Sequence, residues 1–233
     1  MYRVKEKLEK EKLPVLNRLL LVGPPGNGKT SIASAIAKEL QLKIYCLDTA
    51  NIRREHIGAT GNAIGNVMDS LPHILKNGGV IFMDECDSVA SKRIYEQGAD
   101  QEDSASLNIL LQRMDQLSPN IIFIAASNVR DALDPAFVRR FKVKIILNSP
   151  TIEQSNEYIA EYMKIHGIEL SSKEQDSIMK LTGASWSAVE DFCQMVHINR
   201  IVGKTVQPLN YWIGEDKKSG PIGFRNFIRK KGQ

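Results

Sequence analysis

Residues Gly23-Pro24-Pro25-Gly26-Asn27-Gly28-Lys29-Thr30 match the pattern Gly-x-x-x-x-Gly-Lys-[Ser/Thr] along its whole length. An apolar run, 19–22, precedes them and a helical pattern opens at Thr30, so the loop lies between a strand and a helix, as a phosphate loop requires. Its glycines let the backbone wrap a polyphosphate with successive N–H groups pointing inward, aided by the helix N-terminus. Lys29 is expected to reach the β- and γ-phosphates and the Thr30 hydroxyl to ligate Mg²⁺. The expected nucleotide-binding residues are Pro25, Gly26, Asn27, Gly28, Lys29, Thr30 and Ser31.

About 55 residues beyond Lys29 the run Val80-Ile81-Phe82-Met83 ends in Asp84-Glu85. A carboxylate at a strand end, downstream of a phosphate loop, suits the water shell of a metal ion, which makes Asp84 the second expected metal residue. Glu85 beside it can polarise an attacking water, which argues for hydrolysis rather than transfer to a small acceptor. The buried run 121–126 leads into Ser127-Asn128. Ligands of open α/β sheets bind outside the carboxyl ends of the strands, so Asn128 either orients the water or touches the γ-phosphate, or is an ordinary turn residue. Arg139 and Arg140 stand together directly before another strand-like run, where two arginines can also be plain solvated surface.

The elements that must hold these residues are legible in outline. Runs 19–22, 43–47, 80–83, 121–126 and 143–147 are nearly continuous in apolar character, the pattern of strands buried on both faces. Between them, Ile32, Ala33, Ile36, Ala37 and Leu40 mark one buried helical face, and Leu107, Leu110, Leu111 and Met114 mark another. Strands alternating with helices imply βαβ units and a parallel sheet. After Leu147 the strands stop. Ser149-Pro150 reads as a helix cap and first-turn proline, opening a helix to about His166 that Gly167 ends, and further helices are expected over 172–181 and 185–202. The expected divisions are a leader helix or linker over 1–15, an α/β core over 16–148, a helical lid over 149–203, and a basic, mostly irregular tail over 204–233 with a short helix near 224–229.

The four chemical segments, in this order, resemble the AAA branch of the AAA+ ATPases. The Arg139-Arg140-Phe141 setting is similar to that of the spastin and katanin group and of short bacterial AAA ATPases, and the helix bearing Asn108, Leu110, Leu111, Met114 and Asp115 is also similar to the family's. The resemblance spans roughly residues 16–202. It implies a P-loop three-layer α/β sandwich with a five-stranded parallel sheet and an α-helical lid. It also implies Mg²⁺-dependent ATP hydrolysis by a homo-oligomer, a hexameric ring or spiral, that unfolds, remodels or translocates a protein. Asn128 would then sense the γ-phosphate, and Arg139 and Arg140 would be arginine fingers reaching a neighbouring subunit's site, a contribution of about 10³–10⁵ in rate.

Three departures from the family pattern stand out. Its substrate-threading loop is basic–aromatic–aliphatic–Gly; the matching Glu55-His56-Ile57-Gly58 has histidine for the aromatic, so His56 and Ile57 are candidate substrate contacts with a pH-sensitive grip. Only about 18 residues precede the first strand, where the family has a longer segment that helps hold adenine, and the expectation is that the chain is the ATPase piece of a longer protein. In the lid, Trp186 and Ser187 stand where small residues are usual and no arginine provides a second sensor; Trp186 is expected in the lid core or at a subunit contact.

Composition narrows the alternatives. A net charge of +4 is too small for a dedicated nucleic-acid binder, and residues 204–233 alone carry +5, which leaves −1 for the rest. Three scattered cysteines, Cys46, Cys86 and Cys193, indicate neither a disulfide framework nor a zinc site, and a reducing cytoplasm fits them best. No apolar run approaches the length of a membrane span. Two other readings remain: a nucleotide-gated binding switch with little turnover, and a nucleic-acid ATPase of the clamp-loader or initiator type. The second lacks its usual Ser-Arg-Cys motif here.

Overall fold

The computed structural model describes residues 16–49, 52, 60–91, 100–170 and 183–203, with backbone only at 100–103 and 130. The leader over 1–15, His56 and Ile57, the helix expected over 172–181 and the tail over 204–233 lie outside the described residues.

Five strands form one parallel sheet: β1 (Arg18–Val22), β2 (Ile44–Asp48), β3 (Gly79–Asp84), β4 (Ile121–Ser127) and β5 (Val143–Ile146), in the spatial order β2-β3-β4-β1-β5. The expected fold class is the one observed. β4 is buried along its whole length, and in β1 and β3 only the end residues Arg18 and Asp84 are less than buried. The edge strands β2 and β5 instead carry exposed residues, because each has a strand neighbour on one side only and an incomplete cover.

Alternation along the strands sorts the core into two layers. Leu19, Leu21, Val80, Phe82, Ile122 and Ile124 pack with Ala33 and Ala37 of helix α1 (Lys29–Glu39). On the opposite face, Leu20, Val22, Ile81, Met83 and Phe123 pack with α2 (Thr60–Ile74) through Ile64 and Met68. Helix α4 (Asp100–Gln116) joins that layer through Leu107, Leu110 and Met114, as do the short helices α3 (Asp87–Ala90) and α5 (Pro135–Arg139). Helices α2 and α4 approach closely over Gly61 and Gly65: a Cβ on Gly61 would lie 3.1 Å from the Ser106 Cα, tighter than ordinary van der Waals contact, so a side chain there would crowd the backbone of α4.

The chain divides into two compact units between Asn148 and Ser149. In the second, α6 (Ile152–Ile165) starts two residues later than Ser149-Pro150 suggests. Thr151 is the N-cap because its hydroxyl accepts the Gln154 N–H at 3.2 Å while the Gln154 side chain accepts the Thr151 N–H at 3.0 Å, a capping box that fixes the start of the helix there. Helix α7 (Trp186–Val202) opens on Ser185, whose hydroxyl accepts the Ala188 N–H, and closes on Gly203 in the left-handed conformation. Ile159, Met163, Val189, Phe192, Cys193 and Val196 form this unit's core. Trp186 packs edge-on against Tyr158, ring centroids 5.7 Å apart, inside this unit. Among the described residues no helix is long and apolar enough to cross a membrane.

Candidate functional site

Insertion of β4 between β1 and β3 decides what meets what. The loop after β1, the carboxylates that end β3 and the residues that end β4 become neighbours along one edge of the sheet. The Gly23 N–H donates to Ser127 O at 3.2 Å, and the Cys86 N–H donates to Ala126 O at 2.9 Å, so both flanking segments are tied to β4. The register continues outward, with Asp48 of β2 opposite Asp84 of β3.

The loop takes the path its glycines permit. Gly26 and Gly28 have φ of +76° and +79°, a left-handed region that residues with a Cβ enter at a cost. Gly23 is needed for a different reason: a Cβ there would lie 2.0 Å from Leu147 O, where the chain leaves β5. Gly28 caps α1 without a side-chain hydrogen bond, and the first turn of α1 has no acidic residue. The helix therefore presents bare N–H groups and an unopposed positive end to the loop, an anion-binding arrangement. Asn27 is buried, whereas Pro25, Gly26, Thr30 and Ser31 are exposed.

Lys29 is only 7% exposed, and its ammonium donates to Gly23 O at 2.7 Å and Pro24 O at 3.0 Å. Burial holds its pKa below the ordinary lysine range, an effect that the nearby carboxylates of Asp84 and Asp87 oppose. The Thr30 hydroxyl donates to Asp84 Oδ2 at 3.3 Å. A hydroxyl and a carboxylate side by side, both hard oxygen donors, fit Mg²⁺, which takes few protein ligands and keeps several waters.

Glu85 is exposed and has φ +47°, a conformation uncommon for a residue with a side chain and one that costs roughly 1–3 kcal/mol. Its N–H donates to Asp84 Oδ1 at 2.9 Å. Cys86 behind it is fully buried, and burial first, then Asp87 and Asp84, drives its thiol pKa far up, so it is held as an inert neutral thiol. Asn128 is half-buried and bracketed by a turn in which Ser127 Oγ accepts the Val129 N–H at 3.1 Å.

Arg139 and Arg140 do not join this group. They end α5 and precede β5, so they belong to the amino-terminal edge of the parallel sheet. Arg140 donates to Asp115 Oδ2 at 3.2 Å, and Arg18, the first residue of β1, donates to Asp115 Oδ1 at 3.0 Å. Five residues of strand, about 16 Å, separate Arg18 from the loop after β1. Arg139 is exposed, its Nε turned back to Pro135 O at 3.2 Å.

Several polar residues near the site carry no motif. Thr49, 1% exposed, donates to Asp84 O at 3.2 Å and lies 3.5 Å from Glu85 O, and it accepts from the Ser88 hydroxyl at 2.9 Å. Asp87 Oδ1 is buried without a hydrogen-bond partner among the described residues. The spacing of Asp84 and Asp87, three residues apart, was the available signal for Asp87; nothing local in the sequence singles out Thr49.

The comparisons with known proteins point one way. A family model described as "ATPase family associated with various cellular activities (AAA)" matches residues 19–149. The chain is similar to cell division protein C of Sulfolobus acidocaldarius, 30% identical over 77% of this chain and 49% of that protein. It is similar to the ATP-dependent zinc metalloprotease FtsH of Karelsulcia muelleri, 32% identical over 62% of this chain and 24% of that protein. To the proteasome-activating nucleotidase of Pyrococcus furiosus it is 34% identical, over 65% of this chain and 40% of that protein. The chain therefore spans half or less of the length of these curated relatives.

Proposed function

Because the chain belongs to the AAA family of ATPases, we propose that it hydrolyses Mg-ATP at sites completed between subunits of a homo-oligomer and uses the cycle to remodel a protein. The observation that carries this reading is the division of the chemical residues between the two edges of one sheet. Lys29, Thr30, Asp84, Glu85 and Asn128 gather at one edge, and Arg139 and Arg140 are at the other, beyond reach of their own loop.

In this mechanism the loop N–H groups and the end of α1 hold the phosphates, and the Lys29 ammonium turns from Gly23 O and Pro24 O to the β- and γ-oxygens. Thr30 and Asp84 would hold Mg²⁺, which supplies charge neutralisation at the phosphates. Glu85 takes the proton of the attacking water, and Asn128 orients that water against the γ-phosphate. Arg139 and Arg140 of a neighbouring subunit offset the charge on the transferred group, which makes turnover depend on assembly. A head-to-tail contact of this kind closes into a ring or winds into a spiral, and six subunits is the proposed number. His56 and Ile57 are the proposed contacts to a polypeptide, and the proposed compartment is the cytoplasm. That the substrate is a protein is supported by relatives named as a metalloprotease and as a proteasome activator.

The test is Mg-ATP hydrolysis per subunit as protein concentration rises, with Glu85→Gln alongside. The expected result is specific activity that climbs with concentration and is lost in the variant. A flat response with clear turnover removes the shared site. Tight Mg-ATP binding without phosphate release replaces the motor with a nucleotide-gated switch.

A further inference from the structure

We propose that Thr49 is a positioning residue for hydrolysis, its buried hydroxyl holding the Asp84–Glu85 backbone in the conformation that aims the Glu85 carboxylate. The proposal rests on Glu85 being the water-activating base.

The side chain of Glu85 is exposed, so its starting direction is set by its own Cα–Cβ bond, and that direction is set by a φ of +47°. A glutamate persists there only when its surroundings over-determine it. The Glu85 N–H is taken by Asp84 Oδ1 at 2.9 Å, the next N–H by Ala126 O at 2.9 Å, and Glu85 O accepts the Ser88 N–H at 2.9 Å. To these Thr49 adds a side-chain hydroxyl from outside the turn, donating to Asp84 O at 3.2 Å with Glu85 O at 3.5 Å. It is delivered by β2, since Asp48 pairs with Asp84 in the register.

The chemistry of the position favours purpose over filler. At 1% exposure the hydroxyl has no solvent to bond, and valine would fill the same space without that demand. Ser88 Oγ donates to Thr49 Oγ1 at 2.9 Å, which occupies the acceptor side of the hydroxyl and turns its proton to the carbonyls. Asp84, the other side chain gripping Glu85, is claimed by the metal in the proposed cycle. Thr49 is then the side-chain restraint that does not change partners when nucleotide arrives.

The experiment uses the full chain and four variants: Glu85→Gln, Thr49→Val, Thr49→Ser, and Thr49→Val combined with Glu85→Gln. Turnover in the unsubstituted chain that is lost in Glu85→Gln establishes the base. Thr49→Val is then expected to lower kcat about tenfold with KM unchanged, the mark of an interaction used in the transition state. Thr49→Ser keeps the hydroxyl and is expected to restore kcat, and Thr49→Val is expected to add nothing in the Glu85→Gln background. Wild-type kcat in Thr49→Val overturns the proposal alone. So does a slow Thr49→Ser, or a rise in KM that parallels the fall in Tm, since either assigns Thr49 to packing. Absence of turnover in the unsubstituted chain at every concentration overturns the role of Glu85 and this proposal with it.

Discussion

Lys29 shows function set against stability at a single residue. Its ammonium is buried and bonded to two loop carbonyls, and burial outweighs Asp84 and Asp87 in lowering its pKa. A base whose folded-state pKa lies below its unfolded one weakens the fold while charged. That cost is present in full below the folded-state pKa and fades as pH rises through it toward the ordinary lysine value. Lys29→Met, apolar and of similar length, is therefore expected to leave the Tm of the nucleotide-free protein at pH 7 unchanged or higher. The same variant should lose the stabilisation by ligand, roughly 5–10 °C at 100-fold over Kd, that the unsubstituted chain shows with Mg-ATP. A thermal melt with and without Mg-ATP reads both. A variant that keeps the nucleotide-dependent rise would remove Lys29 from the phosphate site.

Among the elements, the exit of β1 is the most tightly determined. Val22 O accepts the Leu147 N–H at 2.8 Å, and the backbone there leaves no room for a Cβ on Gly23. Gly23→Ala must push the chain after β5 away from β1 or shift the phosphate loop. An unfolding free energy lower by about 2–3 kcal/mol is expected, with nucleotide binding weakened as well. Urea titration checks the first and fluorescence of a labelled nucleotide the second; a midpoint equal to the unsubstituted chain's would mean the loop absorbs the methyl group. The strands themselves were legible because β1, β3 and β4 are buried on both faces and read as unbroken apolar runs. Helix α2 was less legible, since Gly61, Gly65 and Pro72 are poor helix formers in isolation, and the two glycines owe their place to the close approach of α4.

At the scale of the whole molecule, the placement of the arginines governs the expectation. Arg139 and Arg140 at the edge remote from the loop require a second copy of the chain if they are to act on phosphate. A chain carrying Arg139→Ala with Arg140→Ala keeps its own Glu85, while Glu85→Gln keeps its arginines. Each alone is expected to fall about 10³-fold in turnover. Mixed in equal amounts, they are expected to recover about a quarter of the unsubstituted rate, because one neighbour pair in four then unites an intact carboxylate with intact arginines. A mixture as inactive as its parts would break the proposed sharing. The proposed roles of His56 and Ile57 belong to this scale too, as they concern a polymer passing many subunits.

What the sequence by itself determined is local. The phosphate loop is contiguous, its glycines and lysine have meaning at fixed offsets, and a run of apolar residues ending in Asp84-Glu85 declares its own strand end. What the tertiary structure decided is non-local. The order β2-β3-β4-β1-β5 follows from which strands pair across more than a hundred residues of chain, and no spacing within one run records its partner. That order brings Asn128 to the loop's edge and leaves the arginines at the opposite one. The left-handed turn at Glu85 and the hydroxyl of Thr49 beneath it depend on the same pairing. An isolated glutamate would not adopt that turn, and a threonine after β2 gains its meaning only when β3 lies alongside.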